Sequence, residues 1–144
     1  MGSILHYVTS DELKAVMPDI RKSGFVGEID LADIKNDNDY LNAIASVFRF
    51  PAFEGQVGHS WNGYFDWMTD LCWENDAEWL KITENGFNLI IYNCNINGYT
   101  HRFDGLLKRI VDSFVYDILP WWDKDVEDYV TDGKSKPFNV YLVL

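Results

Sequence analysis

Two apolar runs, FNLIIYNC at 87–94 and FNVYLVL at 138–144, constrain this chain more than any other feature. A strand with one wet face alternates apolar and polar residues; a run that barely alternates is buried on both faces. Between the two runs lies a helical pattern from His101 to Leu119. Phe103, Leu106, Leu107, Ile110, Val111, Phe114, Ile118 and Leu119 recur there at three- and four-residue spacing, and Pro120 ends or kinks the helix. Strand, helix, strand pairs its strands in parallel through a right-handed crossover. The expected architecture is therefore α/β, a parallel sheet covered by helices.

The rest of the chain fits that plan. SDELKAVM, 10–17, reads as a short helix with Ser10 as cap, Asp11 and Glu12 in the first turn, and Pro18 at its end. FVGEIDLADI, opened by Gly24, reads as a strand with Gly27 as a bulge or turn. NDND, 36–39, starts a helix that places Leu41, Ile44, Ala45 and Phe48 inward, and Pro51 ends it. Ser60 caps a further helix reaching to about Trp73, with Trp61, Tyr64, Phe65, Met68, Leu71 and Cys72 as its apolar stripe. The segment 121–132 is acidic, GKSKP is a turn, and three main strands with four or more helices result.

A chain of 144 residues predicts one domain, and 47 % hydrophobic residues suffice for a core without disulfides. Cys72 and Cys94 sit in apolar patterns and read as buried reduced thiols. No run of about 18 apolar residues exists to span a membrane. The first residues lack the pattern of a secretory leader, so a cytoplasmic protein is expected. With 23 acids against 12 bases the net charge is −11, which argues against direct nucleic-acid binding and suits a basic partner. His6, His59 and His101 have no metal-ligand spacing, and the glycine motifs of nucleotide and cofactor sites are missing. Neither metal nor cofactor is expected. Gly55 and Gly58 read as a loop.

One stretch stands out chemically. Asn62, Asp66 and Asp70 recur every four residues along one side of the helix that follows the glycine-bearing loop. Such a pattern is commonly a solvated face. Asp66 with His59 would also make an acid–base pair, the enzyme reading. Trp67 and Trp73, off the centre of the apolar stripe, favour a third reading: aromatics beside carboxylates form a protein-binding hot spot.

Phe50-Pro51, a glycine-containing loop, Ser60-Trp61-Asn62, Asp66 and Asp70-Leu71-Cys72-Trp73 resemble the barstar family's Phe-Pro, aromatic and glycine loop, and acidic helix closing on Asp-Leu-x-Trp. The resemblance spans residues 24–144 and leaves 1–23 as an N-terminal extension with a short helix. It implies a three-stranded parallel sheet with helices packed around it. It also implies an intracellular inhibitor, not an enzyme, that plugs the active site of a basic ribonuclease or related nuclease toxin as a monomer in a one-to-one complex. On the matching positions, Asp66 is the acid pushed into the enzyme's basic cluster, Asn62 stands where barstar has a second acid, and Phe65 is an interface aromatic. Phe53 corresponds to a loop aromatic and Asp112 to a third acid. Asp70 adds charge, and Trp67 contributes to the apolar seal. The loop is longer here and the acidic connection 120–137 is longer too, which bears on the partner's identity. The alternative is a non-inhibitory protein-binding module on the same fold.

Overall fold

Four strands, β1 (Leu5–Val8), β2 (Phe25–Asp30), β3 (Phe87–Tyr92) and β4 (Phe138–Val143), form one sheet in the order β1-β4-β3-β2, every neighbouring pair parallel. The structure is a computed structural model and describes residues 3–51, 59–94, 99–125 and 136–144. Its helices are α1 (Ser10–Ser23), α2 (Asp37–Val47), α3 (Trp61–Met68), α4 (Ala77–Ile82) and α5 (Tyr99–Asp112). The last continues into two π-helical segments, Ser113–Ile118 and Trp121–Asp125.

The parallel α/β architecture stands, but among the described residues the expected three strands are four. The added strand is β1, whose register runs from Leu5 opposite Val140 to Val8 opposite Val143. Its LHYV sequence is short and half-exposed, so it lacks the apolar run that marks β3 and β4.

Chain direction dictates which face each helix covers. From β2 to β3 to β4 the chain steps one way across the sheet, and right-handed crossovers put α2 to α5 on a single face. From β1 to β2 it crosses the sheet the opposite way, so the same handedness puts α1 on the other face. The packing agrees. Phe87, Leu89 and Ile91 join Ile29, Phe138, Val140 and Leu142 in the larger core, whereas Ile90 and Val143 pack with Leu13 and Ile20 of α1. Both faces of β3 are covered, which is why its sequence does not alternate. The polar exception, Asn88, is 2 % exposed and donates to Ser23 Oγ at 3.1 Å and the Phe25 carbonyl at 3.2 Å, anchoring the end of α1.

Several helix ends differ from expectation. The N-cap of α1 is Thr9, not Ser10: its hydroxyl accepts from Glu12 N–H at 3.1 Å and the Glu12 carboxylate accepts from Thr9 N–H at 2.8 Å. The helix also passes through Pro18 to Ser23. Pro18 and Lys14 are both exposed, so water can bond the Lys14 carbonyl that loses its donor, while Leu13 and Ile20 hold the other side on the sheet. At Pro120 the helix likewise continues. Leu119 N–H bonds Phe114 five residues back, and the wider π turn relieves the clash between a proline ring and the preceding turn.

Gly27 is a regular strand residue rather than a bulge, paired with Leu89. A Cβ there would meet Val47 Cγ1 at 2.4 Å, so its absence lets α2 close onto the sheet. Gly86, with φ of +127°, opens β3, and a Cβ would lie 2.5 Å from the Pro137 carbonyl.

Candidate functional site

Helix α3 owes its position to its buried side. Ser60 caps it, its hydroxyl accepting from Gly63 N–H at 3.1 Å. Tyr64 and Met68, one turn apart, are fully buried. Full burial of a side chain of this size is worth about 1.5–3 kcal/mol, so these two decide which way the helix faces. Positions 62 and 66 then point outward, and Asn62 and Asp66 are exposed. Among the described residues the Asp66 carboxylate has neither a hydrogen bond nor an ion pair.

Two polar clusters that the sequence reading missed lock the helix. Tyr40 Oη lies 2.9 Å from Tyr64 Oη, which lies 2.8 Å from Ser113 Oγ, which donates to the Ile110 carbonyl at 2.6 Å. All three side chains are buried, and burial raises both phenols above their ordinary range. They serve as neutral donors, linking α2, α3 and the first π segment. At the surface, Trp61 Nε1–H donates to Asp37 at 3.1 Å, Arg109 pairs with the same carboxylate, and the Arg109 guanidinium lies 5.4 Å from the Trp61 ring centroid. The only sequence signals were a tyrosine within an apolar stripe and a tryptophan at the first helical position.

The C-terminal end of α3 comes earlier than expected, at Met68 rather than near Trp73. Leu71 turns the chain with φ of +57°, and its side chain is fully buried. Trp73, read as an exposed aromatic, is buried instead, its indole N–H donating to the Phe48 carbonyl at 2.9 Å. Trp67 is half-buried edge-on against Trp73, with ring centroids 5.3 Å apart. Asp70 is half-buried and accepts from Cys72 N–H at 3.2 Å; burial raises its carboxyl above the usual range, the Cys72 bond opposes this, and Glu74 adds to it. Cys72 and Cys94 are free thiols, and burial pushes Cys94 up to about 11.

Phe65 and Asp112 meet on opposite walls of one groove of about 360 Å³, completed by Lys108, Tyr116 and Asp117. Asp112 is bound there to Lys108 at 2.6 Å. Of the seven predicted contact residues, Asn62, Phe65, Asp66, Trp67 and Asp70 thus share α3 and its C-terminal turn, and Asp112 joins through Phe65; Phe53 lies outside the described residues. His59 packs edge-on against Phe50, ring centroids 6.2 Å apart. Among the described residues no group of His, Cys, Asp and Glu is arranged to hold a metal, and no helix is long and apolar enough to cross a membrane.

Fold and site together define a parallel α/β domain that presents a short helix with a polar, carboxylate-bearing outer face. The model of the barstar family, described as barstar (barnase inhibitor), matches residues 25–97, and the chain belongs to that family. That match covers β2 through β3 and all of α3, while β1, α1, Asp112 and β4 lie outside it. No curated protein and no solved structure matches the chain.

Proposed function

We propose that this chain is a ribonuclease inhibitor that acts as an immunity protein, occluding the active site of a basic nuclease toxin with the outer face of α3. The observation that carries this reading is Asp66: an exposed carboxylate without an internal partner among the described residues, on a helix inside the family match, in a chain of net charge −11. A ribonuclease pocket gathers cations to hold phosphate. A carboxylate offered there takes the phosphate's place without a scissile bond, so the chain binds and does no chemistry of its own. Truncating one partner of such a desolvated charge pair costs about 2–5 kcal/mol.

Asn62, Phe65, Trp67 and Asp70 surround Asp66 in this reading, with Asp112 across the groove and Phe53 from the preceding loop. One chain occupies one enzyme. Residues 24–144 form the inhibitory domain, and 1–23 add to it. The chain works in the bacterial cytoplasm, where long-range attraction between an acidic inhibitor and a basic toxin speeds capture. The test is inhibition of RNA cleavage by basic ribonucleases from the same genome, beginning with the neighbouring reading frame. Inhibition by the native chain and its loss in Asp66→Ala are expected. A tight partner without nuclease activity would establish instead the non-inhibitory binding module.

A further inference from the structure

β1 is an edge strand, and among the described residues nothing pairs with its outer edge. The Ile4 and Val8 carbonyls accept from Val140 N–H at 3.0 Å and Leu144 N–H at 2.9 Å. In a parallel ladder alternate residues turn both backbone groups to the same neighbour, so the N–H and C=O of Leu5 and Tyr7 point away from β4. Among the described residues no other backbone group pairs with them. The usual protections of an edge, lysine or proline on the strand, are missing from LHYV.

Beside this edge runs a groove of about 410 Å³ between β1 and the first π segment, walled by Ile4, Leu5, Tyr7, Val115, Leu119 and Pro120. Ile4 is 50 % exposed, Tyr7 60 % and Val115 41 %. Among the described residues the one acid on its rim is Asp123, which accepts a hydrogen bond from Ser3 N–H. On a chain of net charge −11, the described residues make this a surface where a second equally acidic chain can approach with few carboxylates opposed.

We infer that two copies of this chain pair through β1, antiparallel about a two-fold axis at His6. In that register Leu5 of one copy stands opposite Tyr7 of the other. Both residues have outward backbone groups, so each pair exchanges two N–H···O=C bonds, and the arrangement is self-complementary. Opposed residues share a face of the sheet. The second copy's Tyr7 ring therefore lies beside Leu5, over the groove walled by Val115, Leu119 and Pro120. Two four-stranded sheets become one. Asn62, Phe65, Asp66 and Asp70 line no part of this groove, so each copy keeps its α3 face. The pair departs from the single chain that the family resemblance implies and does not depend on the nuclease reading.

The experiment is sedimentation equilibrium of the full chain over a wide concentration range, alone and as Tyr7→Lys and Val115→Asp. The expected mass rises toward twice the 16.7 kDa of one chain, and either substitution returns it to the single-chain value with the circular dichroism unchanged. Salt strengthens the pair by screening two like net charges, the opposite of its effect on capture of a basic nuclease. A single-chain mass at every concentration overturns the inference. So does a pair that survives both substitutions, or amides of Leu5 and Tyr7 that resist hydrogen exchange independently of concentration.

Discussion

The indole N–H of Trp122 donates to the backbone carbonyl of Met68 at 2.8 Å, across 54 positions of sequence. Met68 is the last residue of α3, and the carbonyls of a helix's last turn have no donors within the helix. Trp79 does the same for the following turn, its indole N–H reaching the Leu71 carbonyl at 2.8 Å. Both indoles are essentially fully buried, so water cannot replace them. Trp122→Phe keeps an aromatic ring against Phe87 and Phe138 but leaves the Met68 carbonyl without this donor. The loss is expected to cost about 1–3 kcal/mol, read as a lower urea midpoint at unchanged slope.

The chain of hydroxyls from Tyr40 through Tyr64 to Ser113 gives a prediction with a built-in control. Ser113 donates to the Ile110 carbonyl, so Tyr64 donates to Ser113 and Tyr40 to Tyr64. Tyr64→Phe strands the Tyr40 hydroxyl in a dry site, at about 1–3 kcal/mol. Tyr40→Phe alone removes only the terminal donor and costs less. The double variant should fall well short of the sum, because it leaves no stranded hydroxyl. Additive urea midpoints would mean that the hydroxyls are hydrated independently.

The sequence revealed what repeats and missed what is bonded singly across the chain. The runs at 87–94 and 138–144 announced two strands, of which β3 is covered on both faces while β4 alternates, its Asn139 and Tyr141 half-buried. The pairing of Asn62 and Asp66 on one outward side followed from helical spacing once Tyr64 and Met68 were inside. β1 escaped because an edge strand needs little burial, and Trp73 was misplaced because the helix was carried past Met68. A left-handed residue at Leu71 ends the regular spacing, and no local motif announces a leucine in that role. The indole caps and the Asp37–Trp61–Arg109 cluster join residues far apart in sequence, where spacing says nothing.

Asp70 gives the pH dependence. Burial raises its carboxyl, with the Cys72 N–H bond opposing and Glu74 reinforcing. The folded chain therefore holds this proton more tightly than the unfolded chain does. Stability falls as pH rises from the ordinary carboxyl value through the raised one, and stays lower above it. Asp70→Asn keeps an oxygen for Cys72 N–H and carries no charge. The variant is expected to be more stable than the native chain at neutral pH, with the difference vanishing in acid, as followed by urea midpoints across that range. Weaker nuclease inhibition by the same variant would connect the cost of this charge to binding.

Asp66 and Asn62 separate stability from recognition most cleanly. Both are exposed, and Asp66 has no internal partner among the described residues, so Asp66→Ala should shift stability by no more than about 0.5 kcal/mol. Its effect on inhibition should be at least about tenfold, equivalent to 1.4 kcal/mol or more, and should shrink as salt rises. Asn62→Asp is the converse change. Position 62 is the second residue of α3, where a carboxylate gains about 0.3–1 kcal/mol from the helix dipole. Repulsion from Asp66 four residues on takes back about 0.2–0.5 kcal/mol. The fold should therefore tolerate the substitution, and inhibition kinetics then report on the partner alone. Faster association and tighter inhibition would place a cation of the enzyme opposite position 62. Weaker inhibition would mean that the cognate enzyme presents a neutral or acidic group there, and that Asn62 distinguishes it from the enzymes that other family members bind.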